Sequence, residues 1–210
     1  MAPSHLRRKA VSGAFVVFCG ASVALALLPL AFILFFVLKQ GLPSLNAAFF
    51  TQVPRPVGEA GGGMGNALLG TGMLIGIAAC FAVPVGILAG IFLSEFRKSA
   101  LSSAARFSAD VLNGVPSIVI GIFAYSVAVL PFRRFSALAG GLALGVMMIP
   151  LIVRTTEELL AMVPSALREG ALALGATRAR TVFRVILPAA FPGILTGILV
   201  ALARIAGETA

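Results

Sequence analysis

Charged residues are scarce in this chain: only 11% of its 210 residues are Asp, Glu, Lys or Arg, against about 25% in an ordinary globular domain. With 60% hydrophobic residues and a mean hydropathy of +1.08, a water-soluble domain could not hide its apolar surface, and that class is excluded. Histidine occurs once, at His5 in the N-terminal tail. No apolar run carries a cluster of metal ligands or a nucleophile beside a base, which argues against a membrane-embedded enzyme. Cys19 and Cys80 both fall inside apolar runs, where a small hydrophobe is the expected role and a disulfide is not. The cluster Gly61-Gly-Gly-Met-Gly65 is not followed by Gly-Lys-Ser or Gly-Lys-Thr. A phosphate-binding loop would lack its lysine there, so the stretch reads as an irregular loop and no nucleotide or other cofactor is expected in this chain.

What the chain has instead is length without charge. Five uncharged runs, Val11–Leu38, Asn66–Ser94, Val111–Phe132, Phe135–Val153 and Val185–Ala203, are each about long enough for a hydrocarbon core, which takes roughly 17–25 helical residues. The runs are continuously apolar rather than alternating, so the fold class is all-α, a polytopic transmembrane helical bundle and not a barrel. The first run exceeds the roughly 7–15 apolar residues of a secretory signal and is read as an uncleaved span.

The formal charge of +9 is informative through its placement. Taking alternate connections, Arg7, Arg8, Lys9, Arg97, Lys98, Arg106, Arg154, Arg168, Arg178, Arg180 and Arg184 fall on one side, and Lys39, Arg55, Arg133 and Arg134 on the other. Eleven against four puts the N-terminus and the 154–184 interval in the cytoplasm. The organisation is then a basic N-terminus at 1–10 and a transmembrane domain at 11–210, with spans at about 11–38, 66–94, 111–132, 135–153 and 185–207 and an inner loop at 154–188. The outer loop Lys39–Gly65 carries Pro43, Pro54 and Pro56 and should be irregular.

Several features bear on packing. Gly72 and Gly76, and again Gly86 and Gly90, are spaced Gly-x-x-x-Gly; each pair could serve a dimer seam or internal helix contact. A short basic inner loop is expected over Glu95–Asp110. Pro116 and Gly114 interrupt the third run near the inner face, either as a broken helix lining a path or as a membrane-entry turn. Arg154 and Glu158 are spaced to pair on one helical face.

The 154–188 interval holds the clearest local signals. Pro164 suits the first turn of a helix that should run through Ala173. Gly175 fits a left-handed cap and Thr177 an N-cap for a second short helix bearing Arg178, Arg180 and Arg184. Leu172, Leu174 and Val182 are left for packing, and Leu187-Pro188 should turn the chain back into lipid. Helix, glycine turn and basic helix also describe a DNA-reading motif, but the flanking spans would press a duplex against the bilayer, so no nucleic acid is expected. A basic face on membrane lipid and a helix seated in a groove of a cytoplasmic partner remain, the second being preferred.

In the last run, Arg204 lies sixteen residues beyond Pro188, roughly 24 Å along a helix and so in the outer half of the bilayer. Facing lipid it would be costly, so it should face the protein interior, with Glu208 one turn on. The two could neutralise each other, or Arg204 could offer its forked donors to an oxyanion while Glu208 holds it in place.

Glu169-Gly170-Ala171, three residues, Gly175, nine residues, Val185, then Leu187-Pro188 resembles the Glu-Ala-Ala loop of ABC importer membrane subunits, with Gly170 where that pattern has Ala and Val185 where it has Ile. The resemblance implies a type I importer permease fold in which Glu169, Gly170, Ala171, Gly175, Val185, Leu187 and Pro188 couple to a cytoplasmic ATP-hydrolysing subunit dimer that binds the ATP and magnesium. Gly65-Asn-Ala67, Asp110–Gly121, Arg154-Thr-Thr-Glu-Glu158 and Arg204–Ala210 further resemble the phosphate-specific permease family. That implies a homologous second permease subunit, a phosphate-binding protein outside the membrane, and substrate-pathway roles for Arg204 and Glu208. Members of that family continue through a sixth span, so the chain is expected to be truncated at its C-terminus.

Overall fold

The structure, a computed structural model, describes residues 5–56, 58–59, 61–131 and 133–209. The first four residues of the basic tail, Val57 and Ala60 in the 39–65 loop, Phe132 at the end of the third run and Ala210 of the final motif lie outside the described residues. Regular structure among the described residues is helical throughout, which is how a backbone satisfies its own hydrogen bonds without water. The chain divides into two units, at residues 1–66 and 67–210.

In the first unit, α1 (His5–Gly41) leaves its apolar side chains from Val11 to Leu38 exposed. The 39–65 segment is more ordered than its prolines and glycines suggest. It contains α2 (Ala47–Thr51), capped by Asn46 Oδ1, which accepts from the Phe49 N–H at 2.8 Å. The returning chain then donates from Met64 N–H to the Phe49 carbonyl at 2.7 Å and from Gly65 N–H to the Gln52 carbonyl at 3.0 Å.

The second unit is built from α3 (Gly65–Glu95, nearly all of it), α4 (Ala100–Gly114), α5 (Ser117–Val129), α6 (Ala137–Met162), α7 (Ser165–Ala173) and α8 (Arg178–Thr209). Four helices in the chain are long and apolar enough to cross a membrane, and five crossings result if α4 and α5, bent by 104° at their junction, form one broken span. Helix α6 is central. It packs on α3 and α8 through two buried clusters, Ile91, Leu160, Val182, Ile186, Ala190 and Ile194 in one and Ala82, Met148, Ile152, Ala201 and Ile205 in the other, and α4 and α5 lie against it as well.

Three sequence-based boundaries need correction. The helix of the fourth run does not stop at Val153: α6 continues to Met162, and the first breaker is Pro164, which holds Val163 in extended backbone. The expected inner loop at 95–110 is mostly the helix α4, starting just after Ser99. The second short helix of the 154–188 interval is not separate from the final span, since α8 is one helix from Arg178 to Thr209. It carries a π-helical turn at Val182–Ile186, where Leu187 N–H reaches the Val182 carbonyl. The widened turn directly precedes Pro188, whose missing N–H already interrupts the regular ladder.

The two Gly-x-x-x-Gly pairs of α3 part company. A Cβ at Gly86 would stand 2.7 Å from Ile152 and one at Gly90 2.6 Å from Thr156, whereas at Gly72 and Gly76 it would meet nothing within 4 Å. The first pair thus serves internal packing of α3 on α6, where small residues bring helices together. Gly90→Leu is therefore expected to destabilise the unit by about 1–3 kcal/mol through overpacking, read as a lowered thermal midpoint of the detergent-solubilised chain, while Gly76→Leu leaves that midpoint unchanged.

Candidate functional site

At one end of the second unit, α7 and the start of α8 form the helix pair expected from the sequence. Pro164 sits just before α7, with Ser165 as the first helical residue. The helix ends in a Schellman arrangement: Gly175 N–H donates to the Leu172 carbonyl at 2.9 Å and Ala176 N–H to the Ala171 carbonyl at 3.1 Å, with Gly175 at φ +83°. Thr177 Oγ1 accepts from the Arg180 N–H at 3.3 Å and caps α8. Glu169, Gly170, Gly175 and Pro188 are exposed, and Ala171, Val185 and Leu187 are half-buried. Of the three residues expected to pack, only Val182 does, at 3% exposure; Leu174 stands at the tip with 90% of its surface open, and Leu172 is also exposed.

The same end carries ion pairs that the sequence did not reveal. Arg168 Nη1 of α7 donates to both carboxylate oxygens of Glu95, at 2.5 and 2.7 Å, tying the pair to the last residue of α3. Arg106 of α4 donates from Nε to Glu157 Oε1 at 2.6 Å, from Nη2 to the Leu93 carbonyl at 2.9 Å and from Nη1 to the Arg97 carbonyl at 3.2 Å. It thereby satisfies carbonyls at and just beyond the end of α3 that have no helical donor. The expected Arg154–Glu158 pair is present at 3.5 Å, but Arg154 also lies 3.4 Å from Glu157 and 3.7 Å from Asp110.

The other candidate residues meet in a pocket of about 170 Å³ between α4, α5, α6 and α8, lined by Asn113, Pro116, Ser117, Met147, Arg204 and Glu208 among others. Both Arg204 and Glu208 are exposed to it, and among the described residues no ion pair joins them. Met147, in the same lining, lies ten residues after Ala137 and fifteen before Met162, the two ends of α6. The Asn113–Ser117 break packs against this part of α6 and is reached through the helix α4. Pro116 and Ser117, at the α5 N-terminus, line this pocket together with Arg204, so a helix N-terminus and a guanidinium share one small polar space. Residues 169–188 are not part of it; α8 alone connects the two covalently.

This fold is shared. Residues 82–210 match the family described as binding-protein-dependent transport system inner membrane component, and the chain belongs to that family of multi-pass membrane transport permeases. Among its relatives are the phosphate transport system permease protein PstA of Yersinia pestis, 45% identical over 90% of this chain and 65% of that protein, and PstA 1 of Mycobacterium tuberculosis, 39% identical over 99% of this chain and 70% of that protein. A probable phosphate transport system permease protein PstA of Methanocaldococcus jannaschii is 40% identical over 93% and 69%. The chain spans about two thirds of the length of these curated relatives. Its backbone is similar to a chain in an inward-facing structure of the MetNI methionine ABC transporter, with a TM-score of 0.56 at 22% identity over 69% of this chain and 68% of that one. The architecture is therefore the ABC importer permease fold.

Proposed function

We propose that the chain is a permease subunit of an ATP-driven inorganic phosphate importer, forming one half of the pathway. The observation that carries this reading is the pocket between α4, α5, α6 and α8, which the Arg204 guanidinium and the N-terminus of a broken helix line together. Both favour an oxyanion that arrives stripped of water. Relatives named as phosphate transport permeases make phosphate the substrate of choice. Glu169, Gly170, Ala171, Gly175, Val185, Leu187 and Pro188 form the seat for a cytoplasmic ATPase dimer, which holds the ATP and magnesium; the chain itself carries no cofactor. The exposed Leu174 and the arginines around it are the surface such a groove would take. A PstC-like permease supplies the other half, and a soluble phosphate-binding protein delivers substrate from outside. The N-terminus is cytoplasmic, on the side rich in Lys and Arg, and the membrane is the bacterial inner membrane.

The test is uptake by the complete importer in proteoliposomes, with unlabelled phosphate, arsenate and sulfate as competitors of labelled phosphate. ATP-dependent uptake blocked by phosphate and arsenate but not by sulfate is expected. Uptake of another solute with indifference to phosphate overturns the reading in favour of a permease for that solute.

A further inference from the structure

We infer that Glu95 is a positioning residue of the transport cycle, the point at which movement of the α7–α8 helix pair is handed to α3 and α4 and through α4 to the Arg204 pocket. This inference rests on the docking role proposed for the helix pair.

Helix α8 connects the pair to the pocket along one rod, which by itself moves only one wall. The opposite wall, Asn113 to Ser117, belongs to the α4–α5 junction, and nothing in the covalent chain ties that junction to α7. The side chains do. Arg168 is the only α7 side chain with a charged partner among the described residues, and that partner is Glu95, at 2.5 and 2.7 Å and mostly buried from solvent. Two bonds from one nitrogen to both oxygens fix α7 on the end of α3 in a way that a single exposed contact does not.

The end of α3 is held in turn by Arg106, which grips the Leu93 and Arg97 carbonyls on either side of Glu95 and reaches Glu157 of α6 with its Nε. From Arg106, α4 runs unbroken to Gly114, so displacement of its first turns is carried along a rigid helix. The deformable element is the junction that follows, where Val115 and Pro116 are extended and the axis turns by 104°. A bend between two rigid segments is where such a displacement changes angle, and here it changes the wall facing Arg204. In the covalent chain Glu95 and Arg168 are 73 residues apart, and no signal in the local pattern of either links them.

The experiment uses the assembled importer with spin labels at Leu112 on α4 and Ser136 before α6, both exposed, and compares distances at rest and after trapping with ATP and vanadate. In the otherwise unaltered complex, trapping is expected to shift the distance distribution. Glu95→Gln should abolish that shift and lower uptake at least tenfold, with basal ATP hydrolysis and subunit stoichiometry within twofold of normal. The exchange Glu95→Arg with Arg168→Glu should restore at least half of both readouts, which assigns the loss to the ion pair itself, while the unchanged stoichiometry and basal hydrolysis of Glu95→Gln separate it from a loss of structure. An unchanged shift in Glu95→Gln, or an exchange that assembles without restoring it, overturns the inference. The label distance does not depend on which solute is carried, so a failure of the phosphate reading shows in uptake alone and is distinguishable.

Discussion

Replacing Arg204 by alanine is expected to lower ATP-dependent phosphate uptake about a hundredfold while the complex still assembles. The guanidinium is exposed to the pocket, and among the described residues no carboxylate pairs with it. Little native structure is lost with it, and no partner is left buried and uncompensated. On the proposed function, what disappears is the fork that would receive the oxyanion. Hydrogen bonds to a charged group contribute about 1.5–3 kcal/mol each. Losing two of them is on the order of 3 kcal/mol, which at 1.4 kcal/mol per tenfold gives roughly the hundredfold effect. Arg204→Lys should fall between, because it keeps the charge and loses the planar geometry. The measurements are uptake by proteoliposomes and co-purification of the partner subunits. Transport retained by Arg204→Ala would remove Arg204 from the substrate pathway.

The residues that were legible in the sequence and those that were not separate by the range of the forces involved. Gly175 and Thr177 act on backbone within a few residues of themselves, and the structure gives them the left-handed cap and the N-cap that their chemistry suits. Arg204 and Glu208 are one turn apart, so their shared face is a matter of helical period. The spans were legible because lipid leaves the backbone no alternative to helix. Their ends were not: Thr156 and Glu157 are polar yet buried, so hydropathy stops α6 about two turns early. The helix at Ala100–Gly114 was missed for a related reason. Charged and polar residues between Glu95 and Asp110 look like a loop, and only the partners of Arg106 on α3 and α6 show why they form a helix that enters the bundle. Contacts such as Arg106 with Glu157 and Arg168 with Glu95 join residues 51 and 73 positions apart. A pattern read along one chain has no period that reaches so far.

Gly175→Val is expected to separate ATP hydrolysis from uptake, lowering uptake at least tenfold while hydrolysis persists and the spans stay folded. At φ +83° a residue with a Cβ costs about 1–2 kcal/mol, and a β-branched one is a steric outlier. The cost falls on the cap alone, since a Cβ there would meet nothing within 4 Å. The chain relieves it by abandoning the bonds from Gly175 and Ala176 to the Leu172 and Ala171 carbonyls, which swings the exposed Leu174 tip and the start of α8 away from their present geometry. Gly170, inside the nine-residue helix that Gly175 terminates, supplies the control. It lies inside α7, and a Cβ there also meets nothing, so Gly170→Ala should strengthen the helix by about 1 kcal/mol and leave uptake intact, as expected where the resembling loop pattern carries Ala. If both substitutions uncouple, the helix pair is sensitive to any added side chain and the cap is not the reason. If Gly175→Val transports normally, the geometry of the turn is not what the ATPase engages. Loss in Gly175→Val alone ties coupling to the left-handed turn that sets the angle between α7 and α8.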